Sequence, residues 1–188
     1  YCTKDNDGEF TDSISRLRSR DLTDLVMSEI VFAARKCYEP EWTRRGMWDR
    51  SYYEARVPSC PTMLLELLSH QNFADMRYGL DPSFRFMVSR AIYVGMLRYL
   101  SSQYGTKFTV QPLPIRNFSA EIVGDKAHLR WEPTPDDINP SAEPDYYILH
   151  MRVGDGGFDG GRRVDATTVD VDIEAGKIYS FRITAVNR

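Results

Sequence analysis

The stretch Pro61-Thr62-Met63-Leu64-Leu65-Glu66-Leu67-Leu68 decides the fold of the first half of the chain. A proline opens it and the turn-forming Ser69-His70-Gln71-Asn72 closes it. An apolar run of this length between such boundaries predicts a fully buried strand of a parallel sheet. Side chains alternate across a strand, so Met63, Leu65 and Leu67 share one face and Leu64, Glu66 and Leu68 the other. Both faces are otherwise apolar, which draws Glu66 inward. An unpaired carboxylate is costly there, and burial raises its pKa towards the range of a general acid or base. Glu66 also falls near the end of its run, the end at which open α/β sheets bind ligands. Two readings fit: a functional carboxylate, or a Glu on a solvated strand end or paired to an Arg.

Outward from this run, helical signals dominate the first hundred residues. Residues 1–20 are polar and predict a loop. From Asp21, Leu22, Leu25, Val26, Ile30, Ala33, Ala34 and Cys37 recur at helical spacing, and Pro40 lies just past the end. Trp42-Thr43-Arg44-Arg45-Gly46-Met47-Trp48 has no period and predicts a loop, and Ser51 to Val57 a short strand. Asn72 predicts an N-cap for a short helix through Met76. Asp81-Pro82 starts a second long helix, Asp as cap and Pro at the first helical position, which runs to about Gln103 and is capped by Gly105. Helix, strand, helix in this order predicts the trailing half of an α/β sheet with flanking helices.

Composition changes near residue 105. The expected organisation is a first domain over 1–105, a Pro-containing linker over 106–113, and an all-β sandwich over 114–188. Candidate strands are Ile115–Val123, Ala127–Trp131, Tyr146–Arg152, Thr168–Ile173 and Ile178–Val186, with a tight turn at Gly124-Asp125.

The 188 residues carry a net charge of −3, so no strong global field favours nucleic acid. No run is long and apolar enough to span a membrane. The three cysteines, Cys2, Cys37 and Cys60, include no short-spaced pair, which argues against a CxxC metal site and a disulfide framework. Cys60, between two prolines, is expected to be a buried small residue. No HExxH, phosphate loop or nucleophile elbow occurs, and His128 and His150 read as structural residues within strands. No metal ligand set is expected in this chain.

Three further residues sit near Glu66 as candidates for substrate contact. Arg45, beside Arg44 and the flexible Gly46, offers a fork for a carboxylate. His70 would lie about 13 Å from Glu66 on a continuous strand and approach it only if the chain turns at Ser69. Asn72 is the third, against its reading as a cap.

Together, Val57 to Asn72 resemble the closing signature of the zinc-dependent N-acetylmuramoyl-L-alanine amidases: a Pro-initiated apolar strand ending in a Glu and followed by a Ser-Asn turn. Arg45-Gly46 and the helix from Asp81 to Tyr99 resemble further parts of that family, over roughly residues 20–104. The Gly-Phe usual after the Glu is Leu67-Leu68 here, and His70-Gln71 stands before Asn72. The resemblance implies cleavage of the muramoyl–L-alanine amide of peptidoglycan, with Glu66 as general acid/base. It implies Zn²⁺ held by two His and a Glu upstream of Tyr1. The parent protein is then expected to be an amidase of the bacterial envelope, secreted or periplasmic, and this fragment alone inactive, with no zinc of its own. The second segment resembles a fibronectin type III domain ending before its last strand. Leu129-Arg130-Trp131 matches the inner-core Trp, and Tyr179 the tyrosine corner. Such a module implies a spacer, or a contact to glycan or protein. The competing expectations are a non-catalytic envelope-binding scaffold and a related zinc exopeptidase.

Overall fold

A computed structural model describes residues 1–188. The chain is of mixed α and β class and divides into two compact units, residues 1–108 and 109–188.

The first unit is built on two long helices, α1 (Leu17–Cys37) and α4 (Pro82–Tyr104). In α1, Ser19, Thr23, Val26, Ile30, Ala33 and Ala34 are buried, a stripe at intervals of three and four residues. The helix starts four residues before the expected Asp21. Ser15 explains this: its hydroxyl accepts from Leu17 N–H at 3.2 Å and its carbonyl from Arg18 N–H. The α4 start is as its sequence dictates. Asp81 accepts from Ser83 N–H at 2.9 Å, Pro82 sits at the first turn, and Gly105 closes the helix at φ +64°. Phe84, Val88, Ala91, Val94, Gly95 and Tyr99 form its buried stripe.

The two helices pack together, and Gly95 sets how closely. At one end, Tyr38 and Phe84 meet edge to face at 5.1 Å, and Trp42 and Tyr78 at 5.2 Å. Between the helices the buried Glu29 pairs with Arg98 at 2.8 Å. Burial holds the Glu29 carboxyl above its ordinary range, and Arg98 only partly offsets that. Because the folded value is raised, the contribution of Glu29 to stability is full below its unfolded value near 4.5 and is lost as pH rises through the folded value. The Glu29→Gln variant is therefore expected to gain stability relative to the native chain as pH is raised from acid to neutral. Urea midpoints taken across that window check this; parallel pH profiles for the two proteins would refute it.

Four sequence expectations for this unit are corrected. Thr62–Leu68 is not a strand: it has no regular secondary structure, Leu64 is 37% exposed, and Glu66 is exposed. A strand needs a neighbour for its backbone groups, and this run has none. Its ends are held instead by side chains, Thr62 N–H by Ser19 Oγ at 3.2 Å and Ser69 N–H by Asp75 Oδ2 at 2.8 Å. Ser51–Val57 is likewise not a strand but contains a single helical turn, α2 (Tyr53–Arg56), with only Ala55 buried. Residues 1–20 are not loop throughout. They contain a 3₁₀ turn at Asp5–Gly8 and a bridge between Glu9 and Ser15. Cys60 is exposed, since the unpaired loop around it offers no interior, and all three cysteines are free thiols.

The second unit is two antiparallel sheets of three strands each, in the orders β1-β2-β5 and β4-β3-β6. The strands are β1 (Arg116–Val123), β2 (Lys126–Glu132), β3 (Tyr146–Val153), β4 (Arg162–Val164), β5 (Thr168–Asp172) and β6 (Tyr179–Val186). Ala127, Leu129 and Trp131 alternate on β2 and bury against Tyr147 and Leu149 of β3, Val171 of β5 and Ala185 of β6. The turn between β1 and β2 places Gly124 at φ +64°. The register shift in β1 centres near Asn117, one of the few non-glycine residues at positive φ. β4 is not among the strands expected from the sequence. It is three residues long and follows the glycine-rich loop 154–161.

Candidate functional site

Glu66 projects from the loop 61–69 into a concave surface of the first unit. Two hollows share it. The smaller, about 80 Å³, is also lined by Tyr1, Arg45, Trp48, Tyr52 and Leu64. The larger is open, about 860 Å³, and is lined by Trp42, Arg45, His70 and Asp75 as well as Glu66. Arg45 and Glu66 are thus the charged pair common to both walls.

Each element that brings these groups together has a local cause. The loop 42–51 is held against α1 by Arg44, which pairs with Asp24 and donates to Ser28 Oγ at 3.2 Å. Arg44 is therefore committed inside the chain, which leaves Arg45 to face the hollows. The Arg45 guanidinium lies over the Trp48 ring at 4.9 Å, which fixes its direction without neutralising it. Further along the same loop, Asp49 accepts two hydrogen bonds from Thr3, one from its N–H and one from its hydroxyl. Burial pushes the Asp49 carboxyl up, but those two bonds and nearby Lys4 outweigh it and hold the group below its ordinary range.

The turn after Glu66 is set by Asn72. Its side chain caps α3 (Phe73–Leu80), accepting from Ala74 N–H at 2.9 Å and Asp75 N–H at 3.4 Å. With its carbonyl engaged in this way, Asn72 shapes the turn and lines neither hollow. His70 does line the larger hollow, from an exposed position. The structure therefore brings Glu66, Arg45 and His70 to one surface and gives Asn72 a capping role. Sequence reasoning missed Tyr1, Trp48 and Tyr52. Trp48 is 51% exposed and Tyr52 50%, and an exposed aromatic beside an arginine is a signal that the loop 42–51 could have yielded.

The chain holds no group of three or more His, Cys, Asp or Glu residues arranged to bind a metal ion. Glu66 and His70, with Glu39, Glu41 and Asp75 on the same open surface, do not converge on a point. The residues present do not fit a zinc centre. His128 and His150 are satisfied within the second unit, against Asp170 at 2.6 Å and the Asp159 carbonyl at 3.2 Å respectively.

A comparison with protein-family models finds no match, and a search of curated proteins finds none.

Proposed function

We infer that this chain is the C-terminal part of a peptidoglycan amidase, joined to a fibronectin type III-like module. The observation that carries the reading is the placement of Glu66 and Arg45 on the wall of the same two hollows, flanked by Trp48 and Tyr52. A carboxylate, a cation and exposed aromatic rings on one concave surface suit a substrate that carries sugar and peptide together. In that surface Glu66 moves the proton: it takes one from the attacking water and returns it to the leaving amine of L-alanine. Arg45, held in direction by Trp48, grips a carboxylate of the stem peptide. The zinc ligands of the reading are furnished by residues outside this chain. Peptidoglycan is the proposed partner and the bacterial envelope the proposed location.

The second unit supports the companion assignment by its strand orders and two residues. Trp131 is buried between the sheets. The Tyr179 hydroxyl accepts from Glu174 N–H at 2.9 Å, a tyrosine reaching back to backbone five residues upstream, as at a tyrosine corner. The competing reading is a non-catalytic envelope-binding scaffold. It is favoured by the exposure of Glu66, which leaves the carboxylate open to bulk water rather than enclosed with a substrate.

The discriminating experiment uses the polypeptide that includes residues upstream of Tyr1, incubated with purified peptidoglycan. Release of stem peptide with a free N-terminal L-alanine is the expected result. Glu66→Gln should lower that rate by about 10²–10⁴-fold with substrate binding retained. Unaltered turnover in Glu66→Gln rejects the assigned role. Binding of peptidoglycan without any release favours the scaffold, and release of single amino acids from free peptides favours an exopeptidase.

A further inference from the structure

The outward face of the β4-β3-β6 sheet carries two arginines without acidic partners. Tyr147 and Leu149 of β3 and Ala185 of β6 point into the core, so Arg152 and Arg182 point away from it. Arg182 stands opposite His150, and Arg152 is two residues further along β3 on the same face. The glycine-rich loop 154–161 folds back over them and places Phe158 between the two. Its ring lies 5.1 Å from the Arg152 guanidinium and 4.9 Å from that of Arg182. One aromatic ring thus orients both cations.

Neither cation is neutralised by a carboxylate. Arg152 donates through Nη2 to Ser180 Oγ at 3.0 Å, and its Nε is buried without a hydrogen-bond partner, so a ligand meets the Nη end of its guanidinium. Arg182 makes no salt bridge. Of the two acids on this loop, Asp155 forms a salt bridge with neither arginine, and Asp159 is taken by Met151 N–H and Gly161 N–H, each at 3.0 Å, and meets His150 at 3.8 Å. The third arginine of the face, Arg163, is already paired with Asp165 at 2.6 Å. In a chain of net charge −3, two adjacent unpaired guanidinium groups on one sheet face are a local field of the opposite sign.

We propose that this face binds an extended acidic peptide, Arg152 and Arg182 each taking one carboxylate. The planar fork of arginine matches a carboxylate in a bidentate pair. The spacing also matches. Diagonal neighbours on adjacent strands lie ~7–8 Å apart, and alternate side chains of an extended peptide, which share a face, lie ~7 Å apart. The ligand is therefore a strand with acids at alternate residues. Single-stranded nucleic acid, which has a similar charge repeat, needs a free aromatic face for base stacking. Phe158 is instead occupied by the two guanidinium groups.

The test is fluorescence anisotropy of a labelled octapeptide of alternating Glu and Thr, titrated with the full chain at low salt. Saturable binding is expected, weakened by added salt. The same peptide with Gln for Glu should not bind, and one with its four Glu contiguous should bind more weakly. Arg182→Gln should weaken binding about tenfold, the loss of one charge-assisted pair. The Arg182 side chain makes no hydrogen bond or salt bridge within the chain, so circular dichroism should show the variant folded, with a melting midpoint lowered only by the loss of its contact to Phe158. Equal binding of the Glu and Gln peptides overturns the proposal. So does undiminished binding by a folded Arg182→Gln, or binding of an oligothymidylate probe in place of the peptide. The outcome is independent of the amidase reading, which concerns only the first unit.

Discussion

Replacing Trp131 with alanine is expected to remove a large share of the stability of the second unit. Trp131 is 1% exposed and lies on β2, the central strand of its sheet. Its ring meets Tyr147 of the opposite sheet edge to face at 5.3 Å, so one side chain joins the two layers. Truncating a buried Trp costs about 3–5 kcal/mol, the lost transfer energy plus the cavity left behind. A unit of this size has a total stability of about 4–12 kcal/mol. Collapse into the cavity is opposed by the neighbours, because Ala127 and Leu129 are fixed on the same strand by the ladder to β5. The measurement is a urea titration followed by the dispersed amide signals of β2, β3 and β6 in two-dimensional NMR. Loss of those signals at a much lower urea concentration than in the native chain is the expected outcome. Trp131→Phe provides a control. The indole N–H has no partner, so phenylalanine removes an unsatisfied donor along with some volume and should cost far less. If alanine and phenylalanine shift the midpoint equally little, Trp131 does not hold the layers together.

The second unit was legible because its signals are local. Alternation along Ala127-His128-Leu129-Arg130-Trp131 states which face is buried, and Ala127, Leu129 and Trp131 are the residues of β2 that enter the core. The strand that escaped, β4, has too few residues to show a period. In the first unit the helices were legible for a related reason. Caps and a four-turn stripe are contained within the helix itself, as Asp81, Pro82 and Gly105 illustrate.

The run around Glu66 was misjudged for the opposite reason. A buried parallel strand is defined by its neighbours on both sides, and an apolar run names none of them. Here no strand flanks residues 62–68, so Leu64 and Glu66 face outward and the run settles as a loop pinned at its two ends. The site was nevertheless partly legible. Its charged members, Arg45 and Glu66, were visible as a cation beside a flexible glycine and a carboxylate amid leucines. What the sequence could not show was which of the two adjacent arginines is free, because that depends on Asp24 and Ser28 across the fold. The cap at Asn72 was legible from its place before the short helix, and its amide oxygen is engaged there.

The contact between α1 and α4 yields the second large effect. Gly95→Ala is expected to destabilise the first unit although alanine is the better helix former. A methyl group at Gly95 would lie 2.6 Å from Val26 Cα, 3.1 Å from Val26 N and 2.9 Å from Val26 Cγ2. The first two atoms are backbone, so no rotamer change relieves them, and the helices must move apart. Alanine gains about 1 kcal/mol of helix propensity over glycine. Overpacking a core costs about 1–3 kcal/mol even where side chains can yield, and here the obstacle is main chain, so the loss dominates. Gly95→Val adds two more methyl groups to the same clash and should leave the unit unfolded at room temperature. A double variant separates this cause from ordinary crowding. Val26→Ala removes Cγ2 but leaves Cα and N in place, so it should not rescue Gly95→Ala. Thermal midpoints of the two single variants and the double variant decide the matter. A Gly95→Ala chain as stable as the native one, or full rescue by Val26→Ala, would mean that the helices do not approach at the backbone. In that case the depth at which Glu29 meets Arg98, on the same pair of helices, would lose its structural basis as well.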